Sequence, residues 1–152
     1  MSVADEIAIR QLCAAYTDAV VRGSAADATA VYAPDGILAA GGYPDVVGHE
    51  KLLRHFGRLF ASFELAYQIL HSPLVDIEES GQTAHARCPI TAYQFLTDGG
   101  RALLIGWYQD DLVKLDIGWR FARREMHYLY RGPVDLSGQP SVGDRPVGAF
   151  PI

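Results

Sequence analysis

Cysteine is scarce in this sequence, with two in 152 residues, Cys13 and Cys88, and no CxxC pair. Two thiols inside apolar stretches make no disulfide framework and no metal pair, and they read as small core residues. Long hydrophobic runs are missing too: nothing approaches the roughly 18 apolar residues of a membrane-spanning helix. The opening MSVADEIAIR lacks the basic and then apolar segments of a secretory leader, so the expected location is cytoplasmic. Positive charge is in deficit, 13 Lys and Arg against 18 Asp and Glu for a net charge of -5, and the basic residues are scattered. Nucleic acid and membrane are therefore not expected partners, since both require clustered Lys and Arg. No GxGxxG, GxxxxGK[ST] or GxSxG motif occurs, which removes the nucleotide loops and the serine-hydrolase elbow. His49-Glu50 followed by His55 imitates a zincin motif, but six residues turn the second histidine by about 240° around a helix instead of returning it to the same face. His85 and His127 belong to separate strands. No metal and no cofactor are expected.

What remains is a chain 49% apolar and 20% charged, enough for one globular domain with a sizeable core. Ser2 with Asp5 and Glu6 resembles a capping box, and Ile9, Leu12, Cys13, Tyr16, Ala19 and Val20 recur at helical spacing. Gly23 and Ser24 interrupt this first helix. Ser24 with Asp27 starts a short second one, AADATAVY, ended by Pro34-Asp35-Gly36. A strand, ILAA, follows, then a loop over Pro44 to Gly48. A third helix carries the stripe Leu52, Leu53, Phe56, Leu59 and Phe60. Strands are expected near 64–71, 74–78, 83–96, 101–115 and 118–129, with turns at Glu79-Ser80-Gly81, Asp98-Gly99-Gly100 and Asp116-Ile117-Gly118. On the first of these, period-two reading groups Leu65, Tyr67, Ile69 and His71 on one face. From 133 to 152 the chain turns rich in Pro, Gly and Ser and is expected to wrap a surface or a neighbouring subunit. One domain over 1–132 precedes it.

Three N-terminal helices before a curved antiparallel or mixed sheet define an α+β fold, a cone-shaped roll with helices on the concave face. Such a cone leaves an apolar pocket suited to a small hydrophobic ligand. The order of elements, with VYAPDGIL, GHEKLLRHF and GWRFARREMHYLYRG, resembles the SnoaL-like branch of the nuclear transport factor 2 superfamily over roughly residues 5 to 132. That family includes dehydratases, isomerases, polyketide cyclases, dioxygenase small subunits and binding modules, so fold alone decides little about function.

Within it, QILHS is similar to the strand on which scytalone dehydratase and hexachlorocyclohexane dehydrochlorinase carry a histidine base. The resemblance implies His71 in that role, oriented by an aspartate from the end of the first helix. The aspartate's place falls on Ser24 or Val21, depending on the direction of counting, and neither is acidic. Asp18 lies about 180° from Ile9 on a helical wheel, opposite the apolar stripe. The carboxylate position of ketosteroid isomerase falls on Ala40. A hydroxyl from Ser24 or a tyrosine is the substitute that could hold the His71 ring.

Tyr108, sharing a strand face with Gly106 and Asp110, is the expected second catalytic group, with Gly106 leaving room for a ligand. Tyr16, Ser24, Phe56, Tyr67, Asp110 and Tyr128 are the remaining expected pocket residues. Arg120 and Arg124 fall on one strand face and Arg123 and Glu125 on the other, positions suited to cross-strand pairs or dimer contacts. Trp107 and Trp119 are candidate anchors of a homo-oligomer, dimer or trimer, formed through the sheet face and the C-terminal tail. The expected function is cofactor-independent acid-base chemistry of the dehydratase, isomerase or cyclase type on a cyclic or aromatic oxygenated metabolite. The alternative is a non-catalytic binding or assembly module, including one like a dioxygenase small subunit, which would need a large iron-containing partner.

Overall fold

The computed structural model describes residues 2–151. Helix α1 (Val3–Arg22) opens where the Ser2 hydroxyl accepts from the Asp5 backbone N–H at 3.3 Å, and it closes where Gly23 adopts φ 68° and bonds back to the carbonyls of Ala19 and Val20. Its buried face carries the expected Ile9, Leu12, Cys13, Tyr16, Ala19 and Val20, together with Thr17. Helix α2 (Ala25–Ala30) is capped by the Ser24 hydroxyl on the Asp27 N–H. It is shorter than expected because Tyr32 already begins strand β1 (Tyr32–Ala40), paired with Phe121.

Pro34-Asp35-Gly36 therefore lies inside a strand. The register slips between Tyr32 and Ile37, and a Cβ on Gly36 would stand 2.9 Å from both the Ala33 and Phe121 carbonyl oxygens. Only glycine lets the bulged backbone approach so closely. The loop after β1 holds a two-residue strand, β2 (Val46–Val47), before α3 (His49–Ala61). Leu52 and Phe56 form the buried spine of α3, whereas Leu53 of the expected stripe faces solvent.

The remaining strands are β3 (Phe63–Leu70), β4 (Leu74–Ile77), β5 (Thr83–Leu96), β6 (Arg101–Leu115) and β7 (Gly118–Gly132), the last running three residues beyond expectation. The sheet order is β2-β1-β7-β6-β5-β3, with β4 also on β5. β1 runs parallel to β7 and every other pairing is antiparallel, so the sheet is mixed. The result is α+β, with helices over the concave face of a seven-stranded sheet.

Two irregularities between β6 and β7, at Ile105/Gly106 and Asp111/Leu112, reset which side chains point inward. After the second, Trp119 and Phe121 are followed inward by Arg124 and Met126 instead of by Arg123, so Arg120 and Arg124 do not share a face as simple alternation predicted. At the first, Tyr130 turns outward and Arg131 inward. The tail then crosses the outer face. Tyr130 donates to the Pro133 carbonyl at 2.6 Å, the Trp107 indole donates to the Asp144 carbonyl at 2.9 Å, and the Arg87 guanidinium lies 5.5 Å from the ring centres of Trp107 and Phe150. Trp107 is thus covered by its own chain. Trp119 lies under α1, its indole donating to Asp5 Oδ1 at 2.8 Å. Neither is placed as an exposed anchor.

Candidate functional site

The mouth of the cone lies between α1, α3, β1 and the inward faces of β6 and β7. An outer chamber of about 480 Å³ is walled by Leu38, Ala40, Val46, Phe56 and Leu59, with Tyr43 and His55 at its edge. It adjoins an inner chamber of about 120 Å³ that reaches Ala66, Gln68, Ile90, Ala92, Gln94 and Leu104. Tyr16, Leu59, Tyr108, Met126, Tyr128 and Arg131 border both chambers.

Tyr16 is the hub of the wall. Its ring meets those of Tyr32, Phe56, Tyr108 and Phe121 edge-on at centroid distances of 5.8–6.4 Å, the arrangement aromatic quadrupoles prefer. Burial is the largest influence on the Tyr16, Tyr108 and Tyr128 hydroxyls and pushes all three upward, with cations (Arg124, and Arg131 for Tyr128) opposing it. At neutral pH they stay protonated and can donate to a ligand oxygen.

Beneath these rings lies a buried ion pair. Arg124 Nε donates to Asp110 Oδ1 at 2.7 Å and Nη2 to Oδ2 at 2.9 Å, with both side chains at most 1% exposed. The pair spans registered partners on β6 and β7. The guanidinium also sits 4.0 Å from the Tyr108 ring centre, 4.1 Å from Phe121 and 4.6 Å from Tyr16, so it braces the two tyrosines from below. Cys13 Sγ and Cys88 Sγ lie 3.5 Å apart, and Cys88 Sγ is 3.3 Å from Asp110 Oδ2. These three donors could approach one cation. Both Asp110 oxygens, however, already accept from Arg124, and a metal ion there would face a guanidinium.

Several expected site residues fall elsewhere. The inward side chains of β3 are Ala66 and Gln68, so the face carrying Leu65, Tyr67 and His71 is the outer one. Tyr67 is 49% exposed beside its cross-strand partner Tyr93. His71 lies just past the end of β3, exposed, with its backbone N–H on the Pro89 carbonyl and its ring Nε2 2.9 Å from Thr91 Oγ1. It does not reach the cavity. Ser24 is spent as the α2 cap. Asp110 is held by Arg124 below the cavity floor and does not line it. The space beside Gly106 is filled by the Met126 methyl and the His127 backbone and is not open to a ligand. Tyr16, Phe56, Tyr108 and Tyr128 do border the cavity.

The structure also brings in residues that sequence reading did not select. Gln68, on the inner-chamber wall, donates from Nε2 to Thr17 Oγ1 at 3.4 Å, and on the same wall Gln94 Oε1 is buried with no partner among the described residues. His55, set aside with the failed zincin spacing, lines the outer chamber, and no hydrogen bond to its ring occurs among the described residues. Burial first, and Arg58 second, hold its pKa below the usual histidine value. Its position one residue before the buried Phe56 was the available signal.

A cone of seven strands capped by three helices, hollow at a tyrosine-walled centre, defines an NTF2-like fold. The chain belongs to the SnoaL-like domain family, whose model matches residues 1–125. It is 27% identical over 126 residues to the uncharacterized protein Rv2910c of Mycobacterium tuberculosis, a match covering 80% of this chain and 84% of that protein. Among solved structures it resembles a Novosphingobium aromaticivorans protein provisionally assigned as an aromatic ring hydroxylase, at TM-score 0.80 and 26% identity over 86% of this chain and 92% of that one. A hexachlorocyclohexane dehydrochlorinase superposes at TM-score 0.80, with 14% identity over 92% and 96% of the two chains, and shows the fold alone. Relatives of this fold thus include dehydrochlorinases, and among the described residues no helix is long and apolar enough to cross a membrane.

Proposed function

We propose that the cone receives one small, largely apolar, oxygenated ring molecule, gripped by its apolar walls and by hydrogen bonds from Tyr16, Tyr108 and Tyr128. The observation that carries this reading is the hollow itself: about 480 Å³ of aromatic and aliphatic wall with a few protonated hydroxyls, the makeup of a small-molecule site. The family resemblance implies a histidine base on β3 and an aspartate at the end of α1. Here β3 turns the amide Gln68 inward, and the α1 end offers Val21 and Ser24. An amide can hold a ligand but has no basicity to take its proton, which favours binding over the dehydratase-type chemistry those positions would support. Calorimetric titration with naphthols and tetralones tests the reading. Saturable binding is expected, and Ala40→Phe, which fills the outer chamber, should weaken it at least about tenfold. Absence of saturable binding, or binding indifferent to Ala40→Phe, overturns it.

A second reading, proton transfer of the dehydratase, isomerase or cyclase type, is favoured by His55. An uncharged imidazole at the chamber edge with a lowered pKa is a competent general base. Deuterium exchange at the activated methylene of β-tetralone, followed by NMR, tests it. Exchange accelerated by the protein and lost in His55→Gln supports turnover, while exchange at the buffer rate leaves binding as the function.

A further inference from the structure

The outer chamber does not end at His55. A groove of about 240 Å³ continues from it across α3, sharing Pro44, Val46 and His55 with the chamber and lined beyond them by Lys51, Arg54 and Arg58. Positions 51, 54, 55 and 58 follow helical spacing and share one face of α3. Only one acidic side chain, Asp45, lines the groove among the described residues, and its Oδ2 is already engaged by Arg123 Nη1 at 2.9 Å. Arg54 is paired with Glu50 at 2.9 Å. Lys51 and Arg58 have no carboxylate within salt-bridge distance among the described residues. The same holds for Arg131 on the chamber's other side.

In a protein of net charge -5, three cations without a carboxylate partner among the described residues, Lys51, Arg58 and Arg131, thus stand at the mouth of the apolar hollow, while Arg87, Arg120 and Arg145 lie away from it. A solvated helix face would be expected to alternate signs in i,i+4 pairs, as Glu50 and Arg54 do. Lys51 and Arg58 break that pattern where the groove opens.

We infer that the ligand of this cavity is an amphipathic anion, with an apolar ring body in the tyrosine-walled chamber and a carboxylate at its outer end held in the groove by Lys51, Arg54 and Arg58. The inference rests on the cavity reading above and specifies the ligand class. Guanidinium groups bind carboxylates through paired N–H donors, and the groove offers two of them beside an ammonium. Because these cations are exposed, the attraction is moderate and falls with salt.

The test is calorimetric titration of the whole chain with anthracenecarboxylate and its neutral carboxamide, matched in shape, at about 50 mM and about 300 mM salt. The carboxylate should bind about tenfold tighter than the amide at low salt, and the gap should narrow at high salt. In the Lys51→Gln/Arg54→Gln/Arg58→Gln variant, all three changes being on the exposed helix surface, the carboxylate should fall to the level of the amide. Equal affinity of the two probes for the unmodified chain overturns the anion inference and leaves the cavity reading standing. A preference that survives the triple substitution overturns the groove as its source. Failure of both probes to bind defeats the cavity reading, and the inference falls with it.

Discussion

Replacing Asp110 by asparagine removes one charge from a pair that water does not reach. Asp110 is 0% and Arg124 1% exposed at the side chain, and their two hydrogen bonds, 2.7 and 2.9 Å, are the main compensation for the charges, supplemented by the Cys88 thiol on Asp110 and by three aromatic faces on Arg124. Asp110→Asn leaves a guanidinium buried against Tyr16, Tyr108 and Phe121 and turns an amide N–H toward one of its donors. Breaking such a pair costs about 3–5 kcal/mol, a large part of the roughly 5–15 kcal/mol that holds a domain folded. At about 2–4 °C per kcal/mol for a chain of this size, the midpoint of thermal unfolding should fall by roughly 10 °C. The double variant Asp110→Leu/Arg124→Met carries no uncompensated charge and fills similar volume. It should therefore be more stable than Asp110→Asn alone, though it forfeits the contacts of the guanidinium with three aromatic faces. Urea denaturation with a full set of single and double variants measures the coupling. Moderate salt should leave the wild-type value almost unchanged, since a buried pair is little screened. The reasoning is refuted if Asp110→Asn costs under about 1 kcal/mol, or if the single costs simply add.

Three further outcomes are expected. His71→Ala should leave ligand affinity unchanged and cost no more than about 1 kcal/mol in urea, because it loses one exposed hydrogen bond to Thr91; a large affinity loss would contradict the observed facing of β3. Cys13 and Cys88, both fully buried, with the neighbouring Cys13 thiol first and burial second pushing the Cys88 thiol upward, should resist thiol-reactive dyes in the native protein and label in urea; fast native labelling would refute this packing. His55 has a folded-state pKa below its unfolded value, so its contribution to stability is complete above about pH 6.5 and is lost as pH falls from there toward the lowered value. Stability followed from pH 8 to 5 should therefore decline less steeply in His55→Gln, and parallel profiles would refute the assignment.

The fold was legible because its signals were local and mutually consistent. Ser2 and Gly23 bracket α1, Ser24 opens α2, and the Gly-containing turns near 81, 99 and 118 set the ends of the long strands. What escaped was non-local. Pro34-Asp35-Gly36 carries the chemistry of a turn, and only pairing of Tyr32 with Phe121 makes it a bulge within a strand. The short β2 exists only as a partner of β1, and two residues of Val carry no periodicity to read. The extra residues of β7 follow from its pairing with β6 as far as Leu103.

The site failed to read at one binary choice. On β3, both faces are mixed: Leu65, Tyr67 and Ile69 look more core-like than Ala66 and Gln68, so period-two reading turns the strand the wrong way. The structure inverts this because the concave side is already crowded by Tyr16, Phe60 and Phe63, and small residues with one amide suit the space left beside an inner chamber. A one-residue change of parity moves every side chain to the opposite face, and it takes the histidine out of the cavity with it. The same logic governs β7, where the slip at Asp111/Leu112 brings Arg124 inward to meet Asp110, and the slip at Ile105/Gly106 brings Arg131 to the mouth. The irregularities of the sheet, more than its strands, thus decide which groups a ligand meets. With the side chains that α1 and α3 bring, the cone presents three tyrosine hydroxyls, two amides, one imidazole and a cationic rim, a set that suits the recognition proposed above.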